Sequence, residues 1–245
     1  MFVEIAVISV CLALGGVLKG ATGAGGPILA IPALAAIFDV PFAVAILIMP
    51  NFATNAWQVS HYRGSRPATA FLLLFIGGGA IGAVAGTWLL ASLTSDTLLA
   101  VLGLCVLLYI ALRLARPHFR LPDAVARGLA WPAGFGGGVL QGATGLSAPI
   151  ALTFLNAVRL ERPVHMFTIS TLFLVFVIVQ LPALGYAGIL TPERLMLSTL
   201  AVVPTVLAMP LGKYLGSRLP AWAFDRLILA LLAVLAIKML ADALL

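Results

Sequence analysis

Hydrophobic residues run along this chain in long uncharged stretches rather than in amphipathic stripes. The uncharged runs cover 5–18, 20–38, 40–60, 67–91, 97–112, 129–158, 163–192, 195–212 and 227–237. A helix that crosses a bilayer needs about 20 predominantly apolar residues. The pattern therefore predicts spanning helices over 40–60, 67–91, 96–115, 163–185, 193–216 and 221–244. Strands of a membrane barrel would alternate polar and apolar positions, and these runs do not. Two regions resist a simple count. Residues 5–38 and 129–158 are each too long for one helix and too short for two full ones, and glycines interrupt both.

The interruptions match. The first reads Lys19-Gly20-Ala21-Thr22-Gly23-Ala24-Gly25-Gly26-Pro27-Ile28 and the second Gln141-Gly142-Ala143-Thr144-Gly145-Leu146-Ser147-Ala148-Pro149-Ile150, at a constant spacing of 122. Pro41 and Pro163 keep that spacing, and Gly86, Leu89 and Leu93 match Gly212, Leu215 and Leu219 at a spacing of 126. A shift of this size fits one loop insertion. The register reads as an internal duplication.

Composition narrows the class. Of 245 residues 62% are hydrophobic and 9% charged, with a mean hydropathy of +1.16. Soluble domains carry roughly a quarter charged residues. So few charges exclude a soluble enzyme, a nucleic-acid-binding module and a disordered chain. The net charge of +6 does not mark a nucleic-acid partner, because the basic residues sit in short connectors. Cys11 and Cys105 lie inside apolar runs and read as core residues. The start, with Glu4 and no basic segment, does not resemble a signal peptide, so the first apolar segment is expected to be retained.

Connector charges give a topology. Connectors 61–66, 113–127, 158–163 and 213–226 hold 11 of the 14 basic residues, Arg116 among them, and are expected on the cytoplasmic side. Connectors 113–127 and 158–163 then share a side, so the segment between them must leave and return as a hairpin of two short or tilted helices. Residues 3–38 form the matching hairpin, starting and ending outside. The expected architecture is an all-α polytopic membrane protein of two inverted repeats, each a glycine-broken hairpin plus three transmembrane helices. Repeat 1 covers 1–116 (hairpin 3–38). A cytoplasmic linker follows at 117–126, and repeat 2 covers 127–245 (hairpin 127–158). Both termini are expected outside. Inverted repeats with broken helices at matching positions are a signature of secondary transporters.

The hairpins carry the candidate chemistry. Irregular backbone at membrane depth is tolerated where it lines a cavity or is buried in protein. Pro27 and Pro149 suit a first helical turn, and Thr22, Gly25, Gly26 and Ser147 precede those turns as cap-like residues. Each second arm is thus expected to point a helix N-terminus inward, where amides and dipole favour an anion. The two N-termini are expected to converge near the midplane, with Thr22 and Thr144 adding hydroxyl donors and Gly23 and Gly145 allowing close approach. Lys19 is a basic residue inside apolar sequence, a functional candidate by default; Gln141 is its neutral counterpart. Asn51, Asn55 and Gln58 share one helical face. Thr168 and Thr171 share a face of the matching helix, beside Ser170 and Gln180. His61 and His165 read as interfacial. The glycines from Gly77 to Gly86 read as helix packing, and Gly134 to Gly138 not as a phosphate loop. No metal or cofactor is expected.

The motif from Lys19 to Pro27, its second copy at 141–149 and the duplicated halves resemble the TauE/SafE family of sulfite exporters, over essentially the whole chain. The resemblance implies a bacterial inner-membrane transporter of small sulfur-containing anions such as sulfite, sulfonates or sulfoacetate-like compounds. The second copy departs from the glycine-rich form, with Leu146-Ser147-Ala148 in place of Ala24-Gly25-Gly26. The expected partners are a small anionic solute and the lipid bilayer, without nucleic acid. A secondary carrier calls for a coupling ion, proton or sodium, although no Asp or Glu in a helix interior offers a relay. Homodimer formation stays open. A passive anion channel using the same dipoles is the alternative. An intramembrane enzyme is disfavoured, because no His, Asp, Glu and Cys cluster lies within an apolar run.

Overall fold

A computed structural model describes residues 2–115, 120–218 and 221–244. Arg116, part of the 117–126 linker and Leu219 lie outside the described residues. Every regular element among the described residues is helical. The chain is an all-α polytopic membrane protein. Among the described residues seven helical spans, Pro192–Arg218 counted as one, are long and apolar enough to cross a bilayer. They leave Trp88, Leu207 and Val234 largely exposed, a surface suited to lipid tails and not to water.

The first hairpin is α1 (Phe2–Thr22) and α2 (Gly26–Ala35). At 1.5 Å per residue α1 is about 31 Å long and α2 about 15 Å. The arms are therefore unequal, one a full span and one half a span, where two short or tilted arms were expected. The reason is local. Nothing breaks residues 2–22 until Gly23, whose φ of +83° ends the helix while its N–H donates to the Lys19 carbonyl at 2.6 Å. Gly145 does the same after α6 (Asp123–Thr144), with φ +73° and a 2.8 Å bond to the Gln141 carbonyl. These are left-handed glycine caps at matching motif positions. The second short arm opens as a π-helical turn, Ala148–Leu152, and continues as α7 (Thr153–Val158).

The remaining helices are α3 (Val40–His61), α4 (Thr69–Ser92), α5 (Ser95–Ala115), α8 (Arg162–Tyr186), α9 (Pro192–Leu200), α10 (Val202–Arg218) and α11 (Ala221–Leu244). Asp39 caps α3, accepting the Phe42 N–H at 2.5 Å. Two boundaries differ from expectation. Helix α6 begins at Asp123, inside the expected linker, because Pro122 suits the cap position and Asp123 favours a helix N-terminus. The expected helix 193–216 is observed as one span, Pro192–Arg218, with a one-residue interruption at Ala201, since Pro204 cannot donate to the carbonyl four residues back. The break places Ser198 usefully. Pro50 inside α3 leaves the Ile46 carbonyl without its helical partner, and the Ser198 hydroxyl donates to it at 2.9 Å while accepting the Met49 N–H at 3.0 Å.

The helices α3 and α8 pack together at the centre, and α5 pairs with α11. Helix α4 lies against α6, and α10 against α1. Exchanging the two halves, with α9–α10 taking the place of α4, converts the α4–α6 pair into the α10–α1 pair. Glycine permits both contacts. A Cβ on Gly82 or Gly86 would strike the Phe135 or Val139 carbonyl of α6, and one on Gly20 or Gly212 the Met209 or Val17 carbonyl across the other pair. Gly78, Gly82 and Gly86 thus pack helices, as read from sequence, against the Gly134–Gly142 face, whereas a Cβ on Gly77 would meet no neighbour.

Candidate functional site

Among the described residues the bundle interior holds one basic or acidic side chain. Lys19, on the last turn of α1, is 1% exposed. Its Nζ donates to Asn55 Oδ1 on α3 at 2.8 Å, and the Asn55 amide donates to the Asn51 carbonyl at 2.8 Å. Among the described residues no carboxylate pairs with Lys19. Burying an ammonium group without an opposite charge is expensive. One amide oxygen offers partial compensation, and an anion would complete it.

The polar face of α3 continues past Asn55. Gln58 Nε2 donates to the Gly23 carbonyl at 2.7 Å and Ser170 Oγ donates to Gln58 Oε1 at 3.2 Å, tying the first turn to both central helices. In the other half Gln180 Nε2 lies 3.5 Å from the Gln141 carbonyl, a long and weak contact. Gln58 and Gln180 are themselves 122 residues apart. That recurrence was readable in the sequence and identifies each as the tie between a central helix and its broken hairpin.

Four threonine hydroxyls among the candidates are engaged locally. Thr22, Thr144, Thr168 and Thr171 each donate to the carbonyl four residues back, at 2.7–2.8 Å. Each has one proton, so their remaining capacity is as acceptors. Thr22 Oγ1 accepts the Gly25 N–H at 3.1 Å and Thr144 Oγ1 the Leu146 N–H at 3.2 Å. Ser147 and Gly25 occupy the residue before each short arm, and neither supplies a side-chain cap. The turns, rather than the caps, are what threonine stabilises.

A cavity of about 210 Å³ lies at the first turn. Thr22, Ala24, Gly25 and Ile28 form its hairpin wall. Tyr109 and Arg113 come from the end of α5, Asn156 from α7, His165 from the start of α8 and Asp225 from the start of α11. A water molecule takes about 30 Å³ of liquid, so a small oxyanion and a few waters fit. Arg113 Nη2 and Asp225 Oδ2 are 2.9 Å apart. His165 therefore lines a cavity, beyond the interfacial place read from sequence.

The second turn is different. Gln141 and Gly145 border a small void with Ile31, Val44 and Asn51, and Lys19 borders another with Gly26, Asn51 and Thr54. The first turn thus lies beside Leu152 and Asn156 of the second hairpin, and the second turn beside Ile31 of the first. None of these three cavities is lined by both tips. Of the sequence candidates, Lys19, Asn55 and Asn51 form one cluster, and Thr22 and Gly25 border the cavity with Gly23 on its polar tie. Gly26 borders the same small void as Lys19, and a Cβ there would crowd the Lys19 side chain, whereas Gln141, Thr144, Gly145 and Ser147 belong to the second turn. Thr168 and Thr171 stay with their own helix. Among the described residues no group of three or more His, Cys, Asp or Glu is placed to hold a metal.

Spanning helices around a buried cation and a polar cavity define a class, the polytopic membrane transport proteins. A model of the family described as "Sulfite exporter TauE/SafE" matches residues 8–239, nearly the whole chain. The chain belongs to that family. Searches of curated proteins and of solved structures returned no match.

Proposed function

We infer that the protein is a secondary transporter that carries a small sulfur oxyanion, sulfite or an organic sulfonate, across a bacterial inner membrane by alternating access. Family membership supplies the substrate class. The observation that carries the mechanism is Lys19, a buried cation held by an amide oxygen at the foot of the first broken hairpin. An anion reaching this region gains a positive charge, the N-terminal dipole of α2 and the backbone of a glycine turn.

The two halves act as inverted repeats in this reading. The exchange of helix pairs and the placement of each turn beside the other hairpin's short arm support it. The cavity lies near Arg113, His165 and Asp225, close to the connectors that the charge bias puts in the cytoplasm. It is therefore the cytoplasmic vestibule, and both termini lie outside. The residues that correspond to the cavity wall in the other half are packed, which favours a carrier closed at that side over an open pore.

Flux of labelled sulfite into proteoliposomes tests the function. Saturable, gradient-driven flux that collapses in Lys19→Ala is expected. Single-channel currents, or wild-type flux in Lys19→Ala, would contradict the carrier.

A further inference from the structure

We propose that the 210 Å³ cavity is an anion-receiving vestibule in which Arg113 is the recognition group and Asp225 an internal carboxylate that occupies Arg113 until a solute oxyanion displaces it. The proposal deepens the transport reading and rests on it.

The pair is built for exchange. Arg113 ends α5 and Asp225 stands at the start of α11, with their side chains 40% and 44% exposed. An exposed ion pair contributes little to stability, about 0–1 kcal/mol, so breaking it costs the fold little. The guanidinium fork matches two oxygens of a carboxylate, and the same geometry accepts two oxygens of sulfite or a sulfonate. Asp225 already presents such a group to it at 2.9 Å. Among the described residues it is the one acidic residue in the cavity wall, where Tyr109, Asn156 and His165 supply polar groups for a displaced or incoming anion.

Helix packing does not demand the pair. Carrying the spacing of 126 into the last helices equates Arg113 with Met239 and Asp225 with Leu99. Met239 is fully buried. Leu99 packs against the core, so apolar side chains stand at the two corresponding places, with the Lys238–Asp242 pair beside them on α11. The vestibule selects by shape as well as charge: chloride, a single sphere, cannot fill the fork as two oxygens do.

The test is calorimetric titration of the purified full-length protein in detergent with sodium sulfite, alongside sodium chloride. Asp225→Asn removes the competitor and should lower the Kd for sulfite about threefold or more, while Arg113→Gln should raise it about tenfold, the loss of one charge-assisted hydrogen-bond pair. Unchanged Kd in both variants, or shifts in the same direction, overturns the proposal. Where Asp225→Asn gives no folded protein, Arg113→Lys keeps the charge, loses the fork and should still raise the Kd; an unchanged value again overturns it. Lys19→Ala separates the two readings. Binding lost there, with the Arg113 and Asp225 variants like wild type, removes this proposal and leaves the transport reading standing. Absence of sulfite binding by the wild-type protein removes both.

Discussion

The two copies of Gly-Ala-Thr-Gly have the same backbone geometry and opposite surroundings. Each ends a long helix at a left-handed glycine, and each threonine bridges its own turn. Yet Thr22 is exposed to the cavity while Thr144 is 0% exposed. Around Thr22 stand Asn156 and His165; the residues at the corresponding places in the other half, Leu34 and Ala43, are fully buried and apolar. Lys19 likewise corresponds to the neutral Gln141, 122 residues on. Both copies keep the turn, because glycine and threonine are needed to make it. The side chains around it differ, and that difference gives one turn a polar cavity and makes the other part of the core.

The largest expected effect breaks the polar side. Lys19→Ala should lower sulfite flux in proteoliposomes by more than about tenfold, since a desolvated charge–anion contact is lost, while size-exclusion chromatography shows folded protein. Gln141→Ala, at the corresponding place, should change flux far less. Next, Asn156→Leu makes the vestibule wall resemble its apolar counterpart and should raise the KM for sulfite several-fold. The reverse exchange, Leu34→Asn, puts an unpartnered amide into a dry core, which should cost about 1–3 kcal/mol of stability, read as a lower melting temperature. Ser198→Ala orphans the Ile46 carbonyl beside Pro50 and should likewise lower the melting temperature, by about 1–3 kcal/mol, with unchanged KM. The smallest effect sharpens the comparison. Thr22→Val and Thr144→Val each remove one turn bridge worth about 1 kcal/mol, and flux should fall beyond that shared loss only for Thr22→Val.

Much of the fold was legible because the lipid phase imposes a coarse code: long uncharged runs make spans, and a Gly-Ala-Thr-Gly turn followed by proline inside a run breaks it. Lys19, Asn51 and Asn55 stood out for the same reason, as polar groups inside apolar sequence. The split at Ala201 was hidden, since Pro204 sits in a run that hydrophobicity alone carries straight through. Helix α6 began early because Asp123, counted as a connector charge, also suits a helix start. The vestibule residues were hidden more deeply. Arg113, Asn156, His165 and Asp225 come from four different elements and share no spacing; singly, the charged ones look like topology markers at helix ends. Only the packing of α5, α7, α8 and α11 around the first turn brings them together.

The account turns on the first glycine turn being the one that meets the solute. In a chain with Cys11 and Cys105 replaced by serine, single cysteines at Thr22 and Thr144 can be labelled in inside-out vesicles with a membrane-impermeant maleimide. Sulfoacetate serves as the protecting anion, because sulfite would itself consume the reagent. Rapid labelling at position 22, slowed by sulfoacetate, with little labelling at position 144, is the expected result. Equal labelling at both positions, or labelling at 22 that the anion leaves untouched, would contradict it.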